Sequence, residues 1–199
     1  SGNISGVTTL TLADVGGTAT LSGDVDVTTL TVGNTVANVA FTGNGSSVAN
    51  AVSFANDGTL NLAGGTLTFN GGLTTTSVGG TFTLQGAIAT SNDAVVLGAV
   101  TLGSGTAINT NATTNAADIT IAAITGGSNT LTLTTENNIT GADVTASGNI
   151  SGVTTLTLAS VGGTATLSAD VDVTTLTVGN TVANVAFTGN GSTVANAIS

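Results

Sequence analysis

Six residues, Val7-Thr8-Thr9-Leu10-Thr11-Leu12, return twenty positions later as Val27-Thr28-Thr29-Leu30-Thr31-Val32. At the same lag, Thr18-Ala19-Thr20-Leu21 is echoed by Asn38-Val39-Ala40-Phe41. Apolar and hydroxylated residues alternate with a period of two, and β-branched and aliphatic types dominate, so the pattern predicts strands and no helices. Leu10 and Leu12 then face a core while Thr9 and Thr11 face outward. Two independent strands held at one lag need a constant register between successive elements, which coils stacked on one another supply. Such stacking puts Ala19 under Val39 and Leu21 under Phe41.

A second, longer repetition is laid over the first. Ser1 to Ser53 recurs at an offset of 146 as Ser147 to Ser199, with four exchanges: Asp14 for Ser160, Gly23 for Ala169, Ser47 for Thr193 and Val52 for Ile198. All four swap small or similar side chains, so both copies are expected to meet the same packing demands. Residues 1–146 read as one full repeat and 147–199 as the start of the next, within one continuous body cut from a longer tandem array.

The middle, from Phe54 to Ala146, keeps the vocabulary with looser spacing. Val15-Gly16-Gly17-Thr18-Ala19-Thr20-Leu21 reappears as Val78-Gly79-Gly80-Thr81-Phe82-Thr83-Leu84 and, less fully, as Gly64-Gly65-Thr66-Leu67-Thr68-Phe69. Each phrase reads as one arc of a coil. Further strands are expected at Thr59 to Leu62, Ala94 to Leu97, Ile119 to Ile124 and Thr130 to Thr134, with Gly- or Asn-rich corners between them. Dipeptides such as Ser5-Gly6, Gly33-Asn34 and Asn44-Gly45 supply the positive φ that turns need. Proline, which cannot donate to a ladder, is missing altogether.

Composition narrows the functions. The chain has no Lys, Arg, His, Cys, Met, Trp or Tyr, and its ten acids give a net charge of −10. Such a surface repels phosphates and anionic lipid headgroups, which excludes nucleic acid as a partner. Without Cys or His there is no thiol chemistry and no usual transition-metal ligand set. No apolar run approaches a bilayer span, so membrane insertion is not expected. With 40% apolar residues the chain is too hydrophobic for a disordered polar segment.

The phrase Asn3-Ile4-Ser5-Gly6-Val7-Thr8-Thr9-Leu10-Thr11-Leu12, its copy from Asn149 to Leu158, and the related Glu136-Asn137-Asn138-Ile139-Thr140-Gly141-Ala142-Asp143-Val144-Thr145 resemble the repetitive β-helical shafts of large secreted bacterial adhesins, the filamentous haemagglutinin and autotransporter passenger type. The resemblance extends along essentially the whole chain. It implies export to the cell surface and a structural or adhesive role. Complete absence of Lys and Arg, and near-identity across so long a repeat, depart from that family.

Catalysis finds little to work with. Activating a Ser or Thr nucleophile needs a base, and only carboxylates are present. Two carboxylates suffice for glycoside hydrolysis, and Asp24 with Asp26, like Asp170 with Asp172, lie two apart on what should be one strand face. Yet no Trp or Tyr is there to stack a sugar. Calcium is the one cofactor the acids invite, through carboxylate and carbonyl ligands. The solenoid calcium motif with Gly-Gly-x-Gly-x-Asp spacing is absent, and solvated acids that keep a neutral rod soluble are the simpler reading. Thr-x-Thr phrases such as Thr29-Leu30-Thr31 and Thr66-Leu67-Thr68 invite an ice-binding array, but Thr is also a favoured exposed strand residue, and irregular spacing after Phe54 breaks a flat rank.

The expectation is therefore an all-β, right-handed parallel β-helix of about twenty residues per coil, without catalytic, cofactor or metal residues. It would serve as an extracellular or cell-surface fibre that associates with copies of itself, end to end or laterally. The alternative is the shaft of an adhesin that binds a glycan or partner protein through Thr- and Asn-rich faces.

Overall fold

The computed structural model describes residues 2–196 and 198; Ser1, Ala197 and Ser199, at the margins of the long repeat, lie outside the described residues. Twenty-one strands and no helix are found among them. In chain order they begin with β1 (Ile4–Leu12), β2 (Thr18–Leu21), β3 (Val25–Val32), β4 (Asn38–Phe41), β5 (Ser47–Val48), β6 (Val52–Ser53) and β7 (Leu60–Leu62). Next come β8 (Thr66–Phe69), β9 (Leu73–Thr74), β10 (Phe82–Leu84), β11 (Ala87–Ala89), β12 (Val95–Leu102), β13 (Thr106–Asn109) and β14 (Ile119–Thr125). The last are β15 (Thr130–Thr134), β16 (Val144–Ala146), β17 (Ile150–Ser160), β18 (Thr164–Leu167), β19 (Val171–Val178), β20 (Asn184–Phe187) and β21 (Thr193–Val194).

Every pairing is parallel and joins one coil to the next, so the chain is a β-solenoid of nine coils with three faces. On face A, Ala19, Val39, Leu60, Phe82, Val100, Ile124, Ile150 and Val171 stack in one column. Face B runs from Ile4 and Val25 through β5, β8, β11, β13 and β15 to Leu156 and Leu176. Face C runs from Leu10 and Leu30 through β6, β9 and then Val95, Ile119, Val144, Ala165 and Val185. Ala19 does lie under Val39 and Leu21 under Phe41.

The inward positions of all three faces form one continuous core. Phe54 is fully buried in it, edge-on to Phe41 at 6.0 Å and to Phe69 at 6.2 Å between ring centroids. Such T-shaped contacts set the negative face of one ring against the positive edge of the next. Corners are tight: a Cβ on Gly43 would run into the Gly23 carbonyl, and one on Gly64 into that of Gly43. Glycine is there because two backbones touch.

Coils of about twenty residues are found as expected, at close to twenty-one, and the stacking lag is not constant: it ranges from eighteen, between Phe82 and Val100, to twenty-six, between Ile124 and Ile150. The extra length lies in corners, where Thr110–Asp118 and Thr135–Asp143 bulge outward around a small cluster of Ala112, Ala117, Ala142 and Ile139.

Contrary to expectation, the two copies of the long repeat do not meet the same packing demands. Ile4 stands on face B, whereas its counterpart Ile150 stands on face A; Leu10 is on face C and Leu156 on face B; Ala19 is on face A and Ala165 on face C. Identical sequence occupies different sides because all three faces ask for the same alternation of inward apolar and outward hydroxyl residues. Asp14 and its counterpart Ser160 likewise stand in different surroundings. Asp14 lies beyond the end of β1 at φ 54°, while Ser160 closes β17 and donates its hydroxyl to Asn138 Oδ1.

Candidate functional site

Long strands cross a corner without breaking, and a shallow groove forms at each place where they do. β1 and β3 bend together from face B to face C beside Gly6, whose φ of 71° and the register shift between Ile4 and Val7 make a bulge. β17 and β19 repeat the bend from face A to face B beside Gly152, at φ 66°.

The groove at the first bend is lined by Gly6, Val7, Thr8, Asp26, Thr28 and Ser47 and holds about 470 Å³. The second is lined by Gly152, Val153, Thr154, Asp172, Thr174 and Thr193, each the counterpart of a residue in the first, and holds about 220 Å³. A preceding coil, which β1 does not have among the described residues, bounds one side of it: Ser128 lines the groove and its carbonyl accepts a 2.7 Å hydrogen bond from the Thr154 hydroxyl. These two grooves each present hydroxyls, backbone, valine side chains and one exposed carboxylate, with no cation or aromatic ring.

The acid pairs do not act as pairs. Asp24 and Asp170 lie in the turns before β3 and β19, and each uses Oδ1 to accept a backbone N–H one coil on: Gly45 at 2.9 Å and Gly191 at 2.8 Å. Asp26 and Asp172 stand on the strands, exposed, at the groove rims. Ladders of the same kind run along other corners. Asp118 accepts from the Asp143 N–H at 2.8 Å and Asp143 from the Thr164 N–H at 2.7 Å, while Asn3 Oδ1 accepts from the Asp24 N–H at 3.0 Å. Their role is to satisfy donors where the ladder of strand bonds is interrupted. Composition alone makes these acids read as solvated charge; the lag of twenty-one between Asn3 and Asp24, and again to Gly45, is the signal in the sequence that marks the ladder.

Among the described residues no three acids gather as a metal would require, and no helix is long and apolar enough to cross a membrane. The Thr-x-Thr ranks stack in register only briefly. Thr130, Thr155 and Thr175 form one column and Thr132, Thr157 and Thr177 a second, on face B, but Ala107 lies beneath Thr132. The earlier ranks, Thr9 with Thr11 and Thr29 with Thr31, belong to face C. An extended planar array of threonines is thus broken by the change of face.

Backbone strain concentrates at one place. Glu136, Asn137 and Asn138 all have φ near +50°, three consecutive non-glycine residues in the left-handed region. Side chains hold them there: Asn109 Nδ2 donates to Glu136 Oε1 at 2.7 Å, Asn137 Nδ2 to the Ala112 carbonyl at 3.1 Å, and the Ser160 hydroxyl to Asn138. No known protein family, curated protein or solved structure matches this chain.

Proposed function

We propose that this chain is a non-catalytic structural protein, a stiff fibre-forming rod outside the cell or at its surface, built from tandem copies of one repeat. The observation that carries this reading is the seam between copies. Ile124 of the first repeat supports Ile150 of the second, which supports Val171, in a column no different from those inside a repeat. Copies joined this way fuse into one body, and coil-to-coil contacts add up along it without limit. The composition serves the same end, since a chain lacking Lys and Arg offers trypsin nothing to cut. Electron microscopy and fibre diffraction of assembled protein test the proposal. Thin uniform rods with an axial spacing of about 4.8 Å support it, and compact separate particles overturn it.

The duplicated groove favours a second reading, the shaft of an adhesin that holds a glycan. Hydroxyls and one carboxylate suit a neutral, hydroxylated ligand and repel an acidic one. Binding on a glycan array, lost in an Asp26→Ala, Asp172→Ala double variant that keeps its β circular dichroism, would support this role; a blank array would leave the rod as the whole function.

A further inference from the structure

We infer that the 146-residue repeat is a screw element, which moves its own surface to the next face of the rod each time it recurs. Starting at Ile4 on face B, six coils bring that position to Leu133; the chain then visits face C at Val144 and reaches Ile150, the counterpart of Ile4, on face A. The repeat is six and two-thirds coils long, and the same step carries β1 from faces B and C to β17 on faces A and B. Three repeats make twenty whole coils and restore the starting face. At about 4.8 Å per coil, one repeat advances about 32 Å and the full period is about 96 Å.

The inward pattern permits this motion because a pleat cares only for alternation. Leu10-Thr11-Leu12 on face C and Leu156-Thr157-Leu158 on face B pair in the same way with Leu30 to Val32 and Leu176 to Val178. The groove moves with the strands that form it: Asp26 marks it at the corner of faces B and C, Asp172 at the corner of faces A and B. Consecutive repeats of such a rod cannot hold one flat surface through equivalent grooves. A flat partner meets the groove at every third repeat, and only a partner that winds around the rod meets it at each. This geometry deepens the rod reading and rests on it only for the extension beyond two copies.

Disulfide trapping in the present chain tests the screw, since no native cysteine competes. On face A, Ser151 stacks on Thr125. A repeat of whole coils would return Ser151 to the face of its counterpart Ser5 and set it on Thr134. The Thr125→Cys, Ser151→Cys variant should cross-link on mild oxidation, because stacked strand neighbours fall within disulfide reach of about 4.4 to 6.8 Å between Cα atoms. The Thr134→Cys, Ser151→Cys variant should remain reduced. Thr132→Cys with Thr157→Cys, stacked on face B, should also close and gives an independent reading on a second face. Closure of the 134–151 pair, or failure of the 125–151 pair in a variant whose circular dichroism is unchanged, overturns the screw. Rods missing from micrographs of a chain that cross-links as expected would instead count against the fibre role alone.

Discussion

Val7 and Val153 hold the same place in two copies of one sequence, yet Val7 is 42% exposed and Val153 only 1%. What differs is that β17 has a preceding coil, whose corner sets Gly126 and Ser128 against the backbone around Gly152 through Gly126 N–H to Ser151 O at 2.7 Å and Ser128 N–H to Gly152 O at 2.8 Å, whereas β1 is the first described strand and is stacked only on β3. Phe41 and Phe187 show the reverse, 0% and 42%, because β7 covers β4. A residue's burial here belongs to its neighbouring coils rather than to its own.

Val153→Ala should therefore cost more than Val7→Ala. Loss of buried methyl groups at about 0.8 kcal/mol each, with a cavity added, predicts about 2 kcal/mol at Val153 and no more than about 1 kcal/mol at Val7. Urea unfolding of the two variants measures the difference. Equal losses would show that the preceding coil does not bury Val153.

Asp143 both donates, through its N–H to Asp118, and accepts, from Thr164. Asp143→Ala leaves the Thr164 N–H without its acceptor and should cost about 1 to 2 kcal/mol. Asp143→Asn keeps an acceptor oxygen and should cost less than half as much. If Asn were as damaging as Ala, the negative charge rather than the hydrogen bond would be the stabilising feature.

Asn56 is fully buried, and its Oδ1 finds no partner, while its Nδ2 donates to the Gly58 and Thr59 carbonyls at 3.0 and 2.9 Å. Both carbonyls also accept backbone N–H groups, from Gly80 and Val39, so they keep a partner without Asn56. Asn56→Val removes the orphan acceptor and should leave the melting temperature unchanged or higher. Asn56→Asp places an unpaired charge in the same apolar site and should lower stability by several kcal/mol. A large loss in the Val variant would mean that the two side-chain bonds hold the corner by themselves.

Ten acids without one cation make the rod self-repelling. Raising sodium chloride from about 10 mM to about 1 M shortens the screening length from about 30 Å to about 3 Å and should raise the melting temperature. Calcium and magnesium at equal ionic strength should act alike. Stabilisation peculiar to calcium would reveal a site that solvated acids do not account for.

Much of the architecture was legible in the residues. The expected pairing of Ala19 with Val39 and of Leu21 with Phe41 is found, and so are strands near Thr59 to Leu62, Ile119 to Ile124 and Thr130 to Thr134. The groove was not legible, since Gly6, Asp26 and Ser47 meet only when three successive coils stack. The corner acids escaped for a related reason: a carboxylate that accepts a backbone N–H twenty-one residues away has no local signature.

Alternation of inward and outward residues is a property of each short stretch, and by itself the sequence determined that this chain forms strands, corners and stacked coils. How many residues fill a corner, and hence which face each strand joins, was decided only in the tertiary structure. Corner length is set by close contacts between coils, tight at Gly43 and Gly64 and loose at Glu136 to Asp143. These lengths accumulate along the chain, so a difference of a few residues per coil turns an identical sequence by one face over 146 residues.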